Sequence, residues 1–199
     1  MKLATAAQAV IALALPLLAA APAAANVITL DFETAPSFDS ISTLYASQGV
    51  RFGLDALGLQ NDAVGSYFSN APSPLGVMTA VGTAATMNVD SGFIALSFFY
   101  SSDTALSGAV DIWSGLDGTG TRLASLSLAN NAQRGCAGTA FCRFDELSTV
   151  LGARAYSVSF GNAAYIAAFD NMRVTVVPEP ATALLAVLGL AGVVLSRRR

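Results

Sequence analysis

Between residues 26 and 177 the hydrophobic positions come in short bursts. In Tyr156-Ser157-Val158-Ser159-Phe160 they alternate with serine, which puts Tyr156, Val158 and Phe160 on one face of an extended chain and both serines on the other. Similar bursts, bounded by Gly, Asn, Asp and Ser, predict ten strands: 27–32, 50–54, 76–81, 85–89, 93–100, 109–113, 123–128, 156–160, 165–169 and 172–177. Segments 40–46 and 146–151 read as helical turns, and no amphipathic run is long enough for a packed helix. Ten short strands without a good helix predict an all-β domain, an antiparallel β-sandwich of the jelly-roll type.

The two ends break this pattern. Met1-Lys2, an apolar stretch from Ala6 to Ala20 and the small residues Ala23-Ala24-Ala25 read as a secretory signal helix, cut after residue 25 by a signal peptidase on export through the Sec translocon. At the other end Val177-Pro178-Glu179-Pro180 precedes fifteen almost wholly apolar residues, 181–195, and the chain closes on Ser196-Arg197-Arg198-Arg199. As a helix those residues reach roughly 22 Å, short of a hydrocarbon core of about 30 Å. The single transmembrane helix they form is therefore a marginal anchor. The three arginines act as a membrane stop on the cytoplasmic side, leaving the middle domain outside the inner membrane. The organisation expected is a signal peptide at 1–25, one β-sandwich domain at 26–177 and a sorting and anchor segment at 178–199.

The block Val177-Pro178-Glu179-Pro180, the apolar segment with Gly189 and Gly192, and the final arginine cluster resemble the PEP-CTERM sorting signal of Gram-negative bacteria. That resemblance implies transient anchoring in the inner membrane, recognition and cleavage by an exosortase near Pro178-Glu179-Pro180, and delivery to the cell envelope or extracellular matrix, usually beside exopolysaccharide. Three further segments, 28–33, 45–52 and 168–175, resemble the secreted, lectin-like or carbohydrate-binding-module-like β-domains that often precede such tails.

Composition narrows the chemistry. Six arginines stand against twelve acids between residues 26 and 177, with no lysine there and no histidine anywhere. An acidic domain is a poor partner for nucleic acid. Ser-His-Asp and Cys-His catalysis, lysine Schiff bases and His-ligated zinc are excluded, which leaves carboxylates as the conventional acids and bases. The only two cysteines, Cys136 and Cys142, enclose five residues, and in an oxidising compartment they read as one disulfide closing a loop.

Two groups of residues stand out. Asp31 and Glu33, two apart on the first strand, share a face, and Asp170 and Asn171 lie on the last, which in a sandwich commonly neighbours the first. Carboxylates mixed with an amide suit one structural Ca²⁺, as the carbohydrate-binding resemblance also implies. The other reading is that these groups cap turns and pair with Arg51 or Arg173. Trp113, Tyr67, Tyr100 and Tyr165 are candidates for a ligand platform that stacks on sugar rings, although an aromatic ending an apolar strand, as Trp113 does, is more often core. Asp55, Asp62, Asp103 and Asp117 read as turn formers, Asp117-Gly118 marking a tight turn. The function expected is non-enzymatic: an adhesive or structural protein that binds glycan in its sharpest form. The alternative is a polysaccharide hydrolase working with paired carboxylates, for which Asp145-Glu146 or Asp31 with Glu33 would be the pair.

Overall fold

The structure, a computed structural model, describes residues 25–176. Apart from Ala25 the expected leader lies outside the described residues, as do Val177, Pro178, Glu179, Pro180, the anchor segment and Arg197, Arg198 and Arg199. Among the described residues no helix is long and apolar enough to cross a membrane.

Nine strands form in chain order: β1 (Asn26–Leu30), β2 (Val50–Phe52), β3 (Ala56–Gln60), β4 (Gly76–Ala80), β5 (Thr86–Ser102), β6 (Leu106–Trp113), β7 (Arg122–Leu128), β8 (Asp145–Ser159) and β9 (Ala167–Val176), with 3-10 turns at Ala46–Gln48 and Gly161–Ala163. Their order is β3-β4-β9-β5-β8-β6-β7, with β1 also on β9 and β2 also on β5, and every strand pairing is antiparallel.

The two longest strands make this continuous ladder a sandwich. The first part of β5 pairs with β2 and with the end of β8, whereas its second part pairs with β9 and with the start of β8. The change of register between Asn88 and Phe93 is the bend, and Gly92 sits in it at φ +67°. A Cβ there would lie 2.8 Å from the carbonyl oxygen of Ala155 on the neighbouring strand, so only glycine fits. The predicted strands 85–89 and 93–100 are thus one bent strand, and 165–169 and 172–177 likewise merge largely into β9.

Leu30, Phe52, Met78, Met87, Phe98, Ile112, Val158 and Phe169, drawn from seven strands with Met87 and Phe98 both on β5, are buried in a common core. The fold is the all-β antiparallel sandwich expected from the period of two. Segment 146–151 is strand and not a helical turn: Glu146, Ser148 and Val150 are exposed while Leu147, Thr149 and Leu151 are half-buried, the alternation imposed by pairing with β5. Strand β3, Ala56-Leu57-Gly58-Leu59-Gln60, is not among the strands that the sequence pattern predicts, because alanine and glycine are weak strand formers. It forms because β4 pairs with it over its whole length, and because Gly58 leaves room for the carbonyl of Pro36, which a Cβ would strike. The tight turn at Asp117-Gly118 is present, with both residues at positive φ, 54° and 69°.

A second, smaller hydrophobic cluster lies outside this core. Leu59, Phe68, Val77 and Ala168 are buried in it, with Tyr67, Ala71, Phe141 and Phe144 packed against them. It sits on the outward face of β3, β4 and β9 and is covered by two loops, residues 61–75 and 129–144.

Candidate functional site

The β3–β4 hairpin is apolar on both faces. Ala56, Met78 and Ala80 point into the main core, which by the strand period leaves Leu57, Leu59, Thr79 and Val81 outward. These four form the floor of a groove of about 370 Å³, walled by Phe38, Tyr67, Ala140, Phe141 and Tyr165. Four aromatic rings therefore surround a mostly aliphatic floor, in a domain where acids outnumber arginines two to one.

The walls are built in two ways. Tyr67 and Phe141 come from the two covering loops, which bind each other as a short parallel bridge. The amide of Ser69 donates to the Phe141 carbonyl at 2.9 Å, and that of Phe141 to the Tyr67 carbonyl at 3.0 Å. The Cys136–Cys142 disulfide closes the loop just behind Phe141, as the spacing of the two cysteines predicts. Phe38 and Tyr165 are instead presented outward, 57% and 76% exposed, with φ of +57° and +64°. Left-handed backbone is costly for an aromatic residue. Here the hairpin holds it: the Phe38 amide donates to Gly58 O at 2.9 Å and the Tyr165 amide to Ala80 O at 2.8 Å. The Phe38 ring meets the Tyr67 ring edge-on, with centroids 5.2 Å apart. Exposed aromatic rings that the fold holds in strained conformations are a sign of function.

Of the expected platform residues, the structure brings Tyr67 and Tyr165 together in this groove. Tyr100 is only 6% exposed, and its hydroxyl accepts the Ala129 amide at 3.1 Å, so it is a core residue and not a ligand contact. The alternation of β5 turns it inward beside Phe98, away from the surface that a ligand platform needs. Trp113 is half-buried at the far end of β6, outside the groove, and its indole nitrogen is buried without a hydrogen-bond partner. Neither Phe38 nor Phe141 belongs to a strand pattern in the sequence; for Phe38 a lone aromatic ring in the polar stretch Pro36-Ser37-Phe38-Asp39-Ser40 is the one signal, and Phe141, between Ala140 and Cys142, has none.

The expected calcium ligands meet a different geometry. Strand β1 ends at Leu30, and Phe32 adopts φ +57° while its ring packs edge-on against Tyr45, so Asp31 and Glu33 do not share a strand face. Glu33 turns back to accept the amides of Leu75 and Gly76 at 2.8 and 3.1 Å. Asp170 is wholly buried and accepts the Ser73 amide, the Ser73 hydroxyl and its neighbour Asn171's amide, at 2.8, 2.7 and 2.6 Å. The Tyr45 hydroxyl accepts the Phe32 amide at 2.7 Å and lies 3.4 Å from Asp31 Oδ1. Burial pushes this phenol far above its ordinary range, which keeps it a donor toward Asp31. Calcium needs six to eight oxygens free to face it. Here the carboxylates face N–H and O–H donors, and among the described residues no group of three or more acidic side chains is arranged to hold a metal. As placed, these residues do not fit a calcium ion. The turn-capping reading holds for Glu33, while Arg51 pairs with Asp90 at 2.7 Å and with none of this group.

The adjacent Asp145 and Glu146, at the start of β8, lie on opposite faces of the strand and line no part of the groove. Asp145 accepts Arg143 Nε at 2.9 Å and Asn131 Nδ2 at 3.0 Å. Burial would raise its pKa, but those hydrogen bonds and the charges of Arg143 and Arg134 hold it below the usual carboxylate value.

No curated protein matches the chain. Several solved structures resemble it distantly. The K2 cleaved adhesin domain of Lys-gingipain is 15% identical, over 75% of this chain and 99% of that one, with a TM-score of 0.47. A family 6 carbohydrate-binding module is 13% identical over 76% and 94%, with a TM-score of 0.39. The C-terminal CBM6 of a marine laminarinase from Zobellia galactanivorans is 11% identical over 75% and 99%, with a TM-score of 0.38. Beyond the sandwich, residues 176–199 match the PEP-CTERM protein-sorting motif, and the chain therefore carries the signal of an exported protein that is anchored in a membrane before an exosortase processes it.

Proposed function

We propose that the mature protein is a non-catalytic binding component of the cell envelope or extracellular matrix, and that the groove on the β3–β4 hairpin stacks against the sugar rings of a polysaccharide. The observation that carries this reading is the pair Phe38 and Tyr165, exposed, left-handed and fastened by their amides to the two strands of one hairpin. A flat ring fixed in place covers the apolar face of a pyranose at little entropic cost. The sorting signal supports the same reading, since it delivers the domain to where such polymers lie. A hydrolase would need two carboxylates flanking the bound ring, and the groove's lining is aromatic, aliphatic and Thr79.

The test is affinity electrophoresis of the exported protein through gels containing the host's own exopolysaccharide. Retardation that is lost in Phe38→Ala and Tyr165→Ala is the expected result. Unretarded migration, or retardation that both variants keep, overturns the assignment. The intact mass of the released protein tests the route, since processing near Pro178-Glu179-Pro180 removes Arg199.

A further inference from the structure

We propose that the polysaccharide is an acidic one, and that a polar pocket beside the groove, carrying Arg134 and Arg143, takes its carboxylate groups. This rests on the glycan reading of the groove and names the class of glycan.

The two covering loops have two sides. Tyr67 and Phe141 turn into the groove, whereas Asn70 and Cys142, a few residues on in each loop, line a separate pocket of about 310 Å³. Three residues of chain in one loop and one in the other cover at most about 11 Å and about 4 Å, spans that one oligosaccharide bridges. Arg134, Arg143 and Asp145 line this pocket together with the disulfide.

Its electrostatics run against the rest of the domain. Two of the six arginines between residues 26 and 177 converge here, although acids outnumber arginines two to one over that stretch. Asp145 is the single carboxylate in the lining, and it is turned to Arg143 and Asn131. Arg134 donates to the Asn130 carbonyl at 3.1 Å, and among the described residues it has no ion-pair partner. Two guanidiniums against one committed carboxylate leave a net positive spot. A guanidinium matches a carboxylate with two parallel N–H donors, so the pocket favours a sugar acid over a neutral sugar.

The arginines stand on a braced loop. The amides of Cys142 and Arg143 both donate to the Ala132 carbonyl, at 3.0 and 3.1 Å, and Asn70 Nδ2 donates to Cys142 O at 3.0 Å. With the disulfide these bonds fix where both guanidiniums start, which lowers the ordering cost of binding.

The experiment uses the full chain in detergent, titrated with polygalacturonate, alginate, dextran and dextran sulfate, as wild type, Arg134→Gln and Tyr165→Ala. The expected result is binding of a carboxylate polymer about tenfold tighter than dextran. Arg134→Gln should weaken it roughly three- to fivefold, added salt should weaken it further, and Tyr165→Ala should weaken every glycan that binds. Dextran bound as tightly as the uronates, or a variant Arg134→Gln that binds them unchanged, overturns the acidic assignment while leaving the groove intact. Dextran sulfate bound as tightly as the uronates shows recognition of charge without carboxylate geometry, and overturns it too. Failure of all four polymers to bind overturns the acidic assignment, and the glycan reading falls with it when the host's own exopolysaccharide also leaves migration unretarded.

Discussion

Ser73 grips Asp170 from both sides of one carboxylate: its amide donates to Oδ2 at 2.8 Å and its hydroxyl to Oδ1 at 2.7 Å. The contact ties loop 61–75 to the middle of β9, and with it one wall of the aromatic groove to the central sheet. A wholly buried carboxylate held by a neutral serine has a measurable consequence.

Burial raises Asp170 from 3.8 to about 6; the hydrogen bonds from Ser73 and Asn171 offset this only in part, and the charge of Glu33 adds to it. In the unfolded chain the group returns to the ordinary range. Between 3.8 and about 6 the folded protein therefore holds a proton that the unfolded chain has released. The resulting stability is full below the lower value and is lost as pH rises through the upper one. Thermal melts should show a higher Tm near pH 5 than near pH 7, at roughly the midpoint and above the end of that window. Asp170→Asn should flatten this slope while lowering stability at neutral pH, because an amide cannot accept on both sides. A slope unchanged in the variant would assign the titration elsewhere.

Calcium should leave the protein unmoved. Asp170 and Glu33 already face the donors of Ser73, Asn171, Leu75 and Gly76. Melts in excess calcium and in EGTA should superimpose. A calcium-dependent rise in Tm would mean that these carboxylates leave their donors for the ion.

Tyr165 should show a separation of binding from stability. Its φ of +64° disfavours an aromatic residue, whereas asparagine tolerates the left-handed region. With the residue 76% exposed, Tyr165→Asn should keep stability within about 0.5 kcal/mol of wild type or raise it, while polysaccharide retention falls. Denaturant melts read the first and affinity gels the second. A large loss of stability would show that the ring is structural.

Reducing the Cys136–Cys142 bond should cost about 2 kcal/mol, the low end expected for so short a ring. Because the loop also carries Phe141 and Arg143, the Cys136→Ser, Cys142→Ser double variant should bind more weakly as well as melt earlier. Urea melts with and without reductant measure the first effect. Equal binding by the double variant would show that the hydrogen bonds to Ala132 hold the loop unaided.

Much of this protein was legible along the chain. Alternation such as Tyr156 to Phe160 marks a strand wherever one face is buried, since the extended backbone itself has a period of two. The sorting signal is equally local: a proline-bounded acid, an apolar run and an arginine cluster act as consecutive residues. Two cysteines in one short loop had each other as the only available partner. Tertiary structure decided what depends on long-range packing. Asp31 and Glu33 follow a strand pattern, but the buried ring of Phe32 draws the chain into a left-handed turn that breaks the period. Segment 146–151 became strand because β5 supplied hydrogen bonds along its length. The groove joins Phe38, Tyr67, Phe141 and Tyr165 from four distant stretches. The exposure of Phe38 and Tyr165 rests on amide bonds to Gly58 and Ala80 that hold their φ positive. Nothing in a phenylalanine or a tyrosine announces a positive φ, because the residue itself disfavours it; the surrounding sheet imposes it, and only the folded sheet reveals it.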